Sequence, residues 1–111
     1  MTAPRAVIDA NLLVPIVACD FLLTAFERGL FEPIVSAITI DEVERTLIDD
    51  FPHLDPDAIR RRVAMMSRVL DDHIVDTMSA DDLAPNGINE KDRHVVIAAL
   101  AAEAQVVVST V

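Results

Sequence analysis

The chain has 111 residues, a length that fits one domain able to bury a core without disulfides or structural zinc. Apolar residues make up 52% and Cys19 is the only cysteine, which excludes disordered and fibrous classes, a disulfide framework and a cysteine metal site. A formal charge of −10 argues against a protein that grips phosphate through lysine and arginine, but not against one whose carboxylates hold cations that attract phosphate.

Met1 to Arg5 carries no charged region followed by a long apolar run, and no later stretch approaches membrane-spanning length, so a reducing, cytoplasmic setting is expected. Ala6 to Asp9 reads as a first strand ending in an acid. From Pro15 to Arg28 the apolar residues Ile16, Val17, Phe21, Leu22, Leu23 and Phe26 recur at helical spacing, with Pro15 in a first turn and Gly29 as terminator. Leu30 to Val35 reads as a second strand despite Pro33. Ser36 and Thr39 are both suitable N-caps for a helix reaching about Asp50, and Thr39 with Glu42 has capping-box spacing. Asp55-Pro56-Asp57 opens a further helix with an apolar stripe of Ile59, Val63, Met66 and Leu70. Ile74 to Met78 suggests a strand, and Ser79 to Ile88, with Pro85, Asn86 and Gly87, a loop. Asn89 can cap a helix running through Glu103, with Val95, Val96, Ala99 and Leu100 inward, before a buried strand at Val106 to Ser109. Strands alternating with helices, the strands apolar throughout, predict an α/β fold with a mostly parallel sheet covered on both faces.

Ligands of open parallel sheets gather beyond the carboxyl ends of the strands, where Asp9 falls. Each acid also has a structural explanation. Asp9 and Asn11 can build a turn, Glu42 can complete a capping box, and Asp92, three residues after Asn89, can favour a helix start. Together, however, Asp9, Glu42 and Asp92 belong to three βα units whose corresponding edges converge. Carboxylates packed together at neutral pH require a cation, and an all-oxygen site selects Mg2+ or Mn2+. His94 lies two residues beyond Asp92 on the predicted helix and therefore faces elsewhere, which suits a hydrogen bond better than a ligand role. Arg60, Arg61, Arg62 and Arg68 form the densest basic patch, expected as a solvated helix face balanced by Asp57, Asp71 and Asp72.

Ala6-Val7-Ile8-Asp9-Ala10-Asn11-Leu12-Leu13 resembles the opening of PIN domains, and Ile40-Asp41-Glu42-Val43 resembles their second motif. Lys91-Asp92-Arg93-His94-Val95-Val96-Ile97-Ala98-Ala99 is similar to the third, and Gln105 to Thr110 to the strand that follows it. The resemblance spans nearly the whole chain. It implies a three-layer α/β/α sandwich over a single domain, residues 1–111, with Asp9, Glu42 and Asp92 as catalytic, metal-binding acids, Glu42 being preferred to Asp41. Asn11 and Thr110 would assist substrate binding around Mg2+ or Mn2+. The implied activity is hydrolysis of RNA phosphodiesters by a VapC-like toxin ribonuclease paired with an antitoxin protein. Where the family places another acid after the threonine and then a further strand, this sequence stops at Val111. A homodimer that covers the last strand is therefore expected, and a catalytically weak or inactive PIN-like binding module stands as the alternative. Two other classes fit less well. A receiver domain needs a lysine at a later strand end, whereas the only lysine is Lys91, and a haloacid-dehalogenase-like phosphatase needs an acid where Asn11 stands.

Overall fold

The computed structural model describes residues 3–76, 90–104 and 106–108. In chain order these form β1 (Arg5–Ile8), α1 (Ala10–Leu13), α2 (Ile16–Glu27), β2 (Glu32–Ser36), α3 (Ala37–Asp50) and α4 (Pro56–Val69). A 3-10 turn at Asp71–His73 leads to β3 (Ile74–Val75), and α5 (Glu90–Ala101) and β4 (Val106–Val108) complete the set. The expected loop at 79–88 and the cap at Asn89 fall outside the described residues.

The four strands form one sheet in the order β3-β2-β1-β4, every pair parallel. Because successive side chains of a strand point to opposite faces, the apolar runs divide between two cores. Ala6, Ile8 and Val35 pack with Leu13, Cys19, Val43, Leu47 and Val63 of the α1–α4 layer. Val7 and Ile34 pack with Val95 and Ala98 of α5 on the other face. This is the expected three-layer α/β/α arrangement, and it explains why the strand sequences lack polar alternation.

Pro33 is tolerated inside the sheet for a definite reason. Glu32 donates its N–H to Pro4 O at 2.8 Å, toward β1, so the next nitrogen, that of Pro33, faces the β3 side. Pairing with β3 begins only at Val35, opposite Ile74, so no ladder bond is lost there. Gly29 ends α2 at φ +74, where its N–H reaches Phe26 O at 2.9 Å and that of Leu30 reaches Ala25 O at 3.1 Å, a left-handed termination that suits glycine.

Three details differ from the sequence reading, and one choice it left open is settled. The helix expected from Pro15 is preceded by the separate α1, capped by Asp9. Pro15 lacks the N–H that would continue α1, and it becomes the extended residue before α2. Ser36, not Thr39, caps α3: its Oγ accepts from Ile38 N at 3.0 Å and Thr39 N at 3.3 Å. Leu100, expected inward, is 49% exposed because it lies about 200° around the helix from the buried Ala98. Val107, expected buried, is also 49% exposed: it sits beside Val7 on the α5 face, where a single described helix does not cover the outer strand.

Candidate metal centre

Asp9 stands at the carboxyl end of β1, half-buried, with Oδ1 accepting the N–H of Ala10 at 2.7 Å. The turn reading of this residue is thus realised as a helix cap. Asn11 is exposed on α1.

Glu42 is the sixth residue of α3, in its second turn, too far along to serve as the capping-box partner of Ser36. Its carboxylate has another partner. His94 Nε2 lies 3.1 Å from Glu42 Oε1, and His94 Nδ1 lies 2.9 Å from Ser36 Oγ. The hydrogen bond expected for His94 is therefore present, to Ser36, and the same ring also pairs with Glu42, whereas Asp41, one residue before Glu42, is simply exposed.

Buried polar groups carry more information than buried apolar ones. Among the described residues the buried polar or charged ones are Ser36, Thr39 and His94, and they belong to the last residue of β2, the first turn of α3 and the α5 layer. The polar interior is thus concentrated at one carboxyl edge of the sheet, with Glu42 at its rim, its side chain 32% exposed. Thr39 Oγ1 finds no partner among the described residues.

Asp92 is the third residue of α5, two before His94, so the helix that reaches Glu42 also carries the third expected acid; the Asp92 side chain and Thr110 lie outside the described set. Among the described residues no group of three His, Cys, Asp or Glu is placed to hold a metal. The described carboxylates, Asp9 and Glu42, fit a hard cation by donor chemistry: both are oxygen donors, and Glu42 keeps Oε2 beyond its bond to His94.

The model of the PIN domain family matches residues 5–110. The chain belongs to the PIN-domain family. PIN domains are in general nucleases that act on nucleic acid with divalent metal ions. The matched span contains every acid placed above, Asp9, Glu42 and Asp92, together with His94 and Thr110. No curated protein and no solved structure matches the chain.

A larger groove, about 590 Å³, runs between α2 and α4 of this PIN domain, but none of these site residues lines it. Its walls are mainly apolar, with Ile16, Leu23, Leu54, Ile59, Met65 and Met66, and its acids Asp20 and Asp55 are accompanied by Arg61 and Arg62. The arginines expected on a solvated face separate. Arg60 pairs with Asp57 at 3.1 Å in the open, whereas half-buried Arg62 donates to Leu13 O at 2.7 Å and Val14 O at 2.9 Å and serves the fold. Among the described residues no helix is long and apolar enough to cross a membrane.

Proposed function

We propose that this PIN domain is a Mg2+- or Mn2+-dependent endoribonuclease that hydrolyses RNA phosphodiesters, acting in the cytoplasm as the toxin of a toxin–antitoxin pair. The observation that carries the reading is Glu42, an acid at the carboxyl edge of the parallel sheet, held by a histidine that is itself buried and hydrogen-bonded. A capping role does not explain it, because the capping position is already filled by Ser36.

Asp9, Glu42 and Asp92 would hold the cation. When bound, it supplies positive charge for the phosphate and a water acidified enough to attack. The protein's own part is to bring acids from β1, α3 and α5 to one edge, with Asp9 fixed by the Ala10 N–H and Glu42 by His94. Asn11, on the helix that begins at Asp9, and Thr110 would contact the substrate. An antitoxin protein would bind the toxin, and self-association into a homodimer accompanies this reading.

The test is cleavage of a single-stranded RNA by the purified chain with Mg2+ or Mn2+, against EDTA and Asp9→Asn controls. Metal-dependent cleavage lost in Asp9→Asn supports the reading. Metal binding without cleavage of any RNA would instead identify a PIN-like binding module.

A further inference from the structure

Ser36 Oγ has two lone pairs and one hydrogen. Both lone pairs are engaged by the N–H groups of Ile38 and Thr39, at 3.0 and 3.3 Å, so the hydrogen is left to donate. The acceptor at hand is His94 Nδ1, 2.9 Å away. With Nδ1 accepting, the imidazole proton belongs on Nε2, and Nε2 faces Glu42 Oε1 at 3.1 Å. The direction of each hydrogen bond is therefore set at the start of α3 and passed through the ring to the carboxylate.

We propose that His94 is a positioning residue that orients the Glu42 carboxylate for a divalent cation before the cation arrives; this rests on the ribonuclease reading of the same acids. A glutamate on a helix surface samples several rotamers, and binding a cation requires that freedom to be lost. Here the ring is 6% exposed and pinned at both nitrogens, so it offers a rigid donor to one carboxylate oxygen and leaves Oε2 for the metal. Partners of this kind, one shell out from a metal ligand, typically change affinity by roughly 10- to 100-fold. His94 comes from the opposite layer of the sandwich, 58 residues beyond Ser36 in sequence, so the contact also couples the docking of α5 to the geometry of Glu42.

A purely structural role, satisfying buried polar atoms and stapling α5 to the sheet, predicts different behaviour in a pair of variants. His94→Gln keeps a donor near the Nε2 position and gives up the acceptor for Ser36. His94→Asn does the converse, keeping an acceptor near Nδ1 and abandoning Glu42. Mn2+ affinity measured by electron paramagnetic resonance on the whole chain, beside metal-free melting, separates the two roles. Positioning predicts about 10-fold or greater loss of Mn2+ affinity in His94→Asn and a much smaller loss in His94→Gln, with no further loss when His94→Asn is added to Glu42→Gln. Equal affinities in both variants, within about twofold of the parent, overturn the proposal while leaving the metal site intact. A parent that binds no Mn2+ overturns both it and the ribonuclease reading. A second readout needs neither metal nor a variant: ring nitrogen-15 shifts of the parent must show Nδ1 bare and Nε2 protonated, and the opposite tautomer overturns the proposal.

Discussion

Replacing Arg62 by methionine is expected to remove about 2–3 kcal/mol of stability without touching the acids. Nη2 of Arg62 donates to Leu13 O at 2.7 Å and Val14 O at 2.9 Å. These carbonyls close α1, a helix of only four residues whose last carbonyls have no helical acceptor role to fill. A hydrogen bond from a charged donor contributes roughly 1.5–3 kcal/mol net. Both bonds here leave one nitrogen of a half-buried side chain, so the pair is taken at about the value of one strong bond. Methionine retains much of the apolar stem, which confines the loss to the guanidinium. With an unfolding entropy of about 2.1 cal/mol/K per residue, a chain of this length should melt roughly 10 °C lower. Urea unfolding followed by circular dichroism is the assay. Arg62→Lys, a single-point donor, should fall between parent and Arg62→Met, with the denaturant slope unchanged. If Arg62→Met comes within about 0.5 kcal/mol of the parent, the carbonyls are as well served by water and the tether reasoning is wrong.

Asp9→Asn keeps an oxygen to accept from Ala10 N–H, so its metal-free melting should stay within about 1 kcal/mol of the parent, while the gain from Mn2+ disappears; that gain is about 2.7 kcal/mol at 100 times Kd, and an undiminished response in the variant contradicts the site. Gly29→Ala should cost about 1 kcal/mol in a urea titration, wholly from backbone conformation, since φ is +74 and no atom lies within 4 Å of the added Cβ; a loss above about 3 kcal/mol would reveal a steric contact instead. Burial raises the pKa of the Cys19 thiol, an effect that neighbouring Arg62 partly opposes, so labelling by a thiolate-selective reagent near pH 8 should be slow in the folded protein and rapid in urea; equal rates would mean an accessible thiolate.

The strands and the caps with strong local chemistry were legible in the sequence. Asp55-Pro56-Asp57 starts α4 as expected, with Asp55 accepting from Asp57 N at 3.2 Å, because cap, proline and acid all act within one turn. The choice between Ser36 and Thr39 was not legible: two hydroxyls three residues apart are equivalent until the end of β2 is known. The capping-box spacing of Thr39 also hid the meaning of Glu42, since it offered a capping explanation that the helix start at Ala37 removes. The His94 pairing depends on packing α5 against β2, which no local pattern encodes. Its one sequence signal was a histidine directly ahead of the apolar run from Val95 to Leu100, where an unsatisfied buried ring would be costly.

The sheet separates two cores that the chain completes at different times. Residues 5–75 contain β1, β2, β3 and the entire α1–α4 layer, so the larger core can form from contacts that are mostly local in sequence. The smaller core waits for α5 and for β4, which pairs with β1 across about a hundred residues, Val107 beside Val7. During synthesis, by hypothesis, the first layer therefore folds on its own schedule and α5 arrives afterwards. Pulsed hydrogen exchange should find α5 amides protected last, and simultaneous protection of both layers would contradict that order. Until α5 docks, Glu42 has no His94 beside it. If the proposed ribonuclease reading holds, a nascent chain of this kind would carry Asp9 and Glu42 on a finished scaffold while still lacking Asp92, and would spare the message from which it is being read.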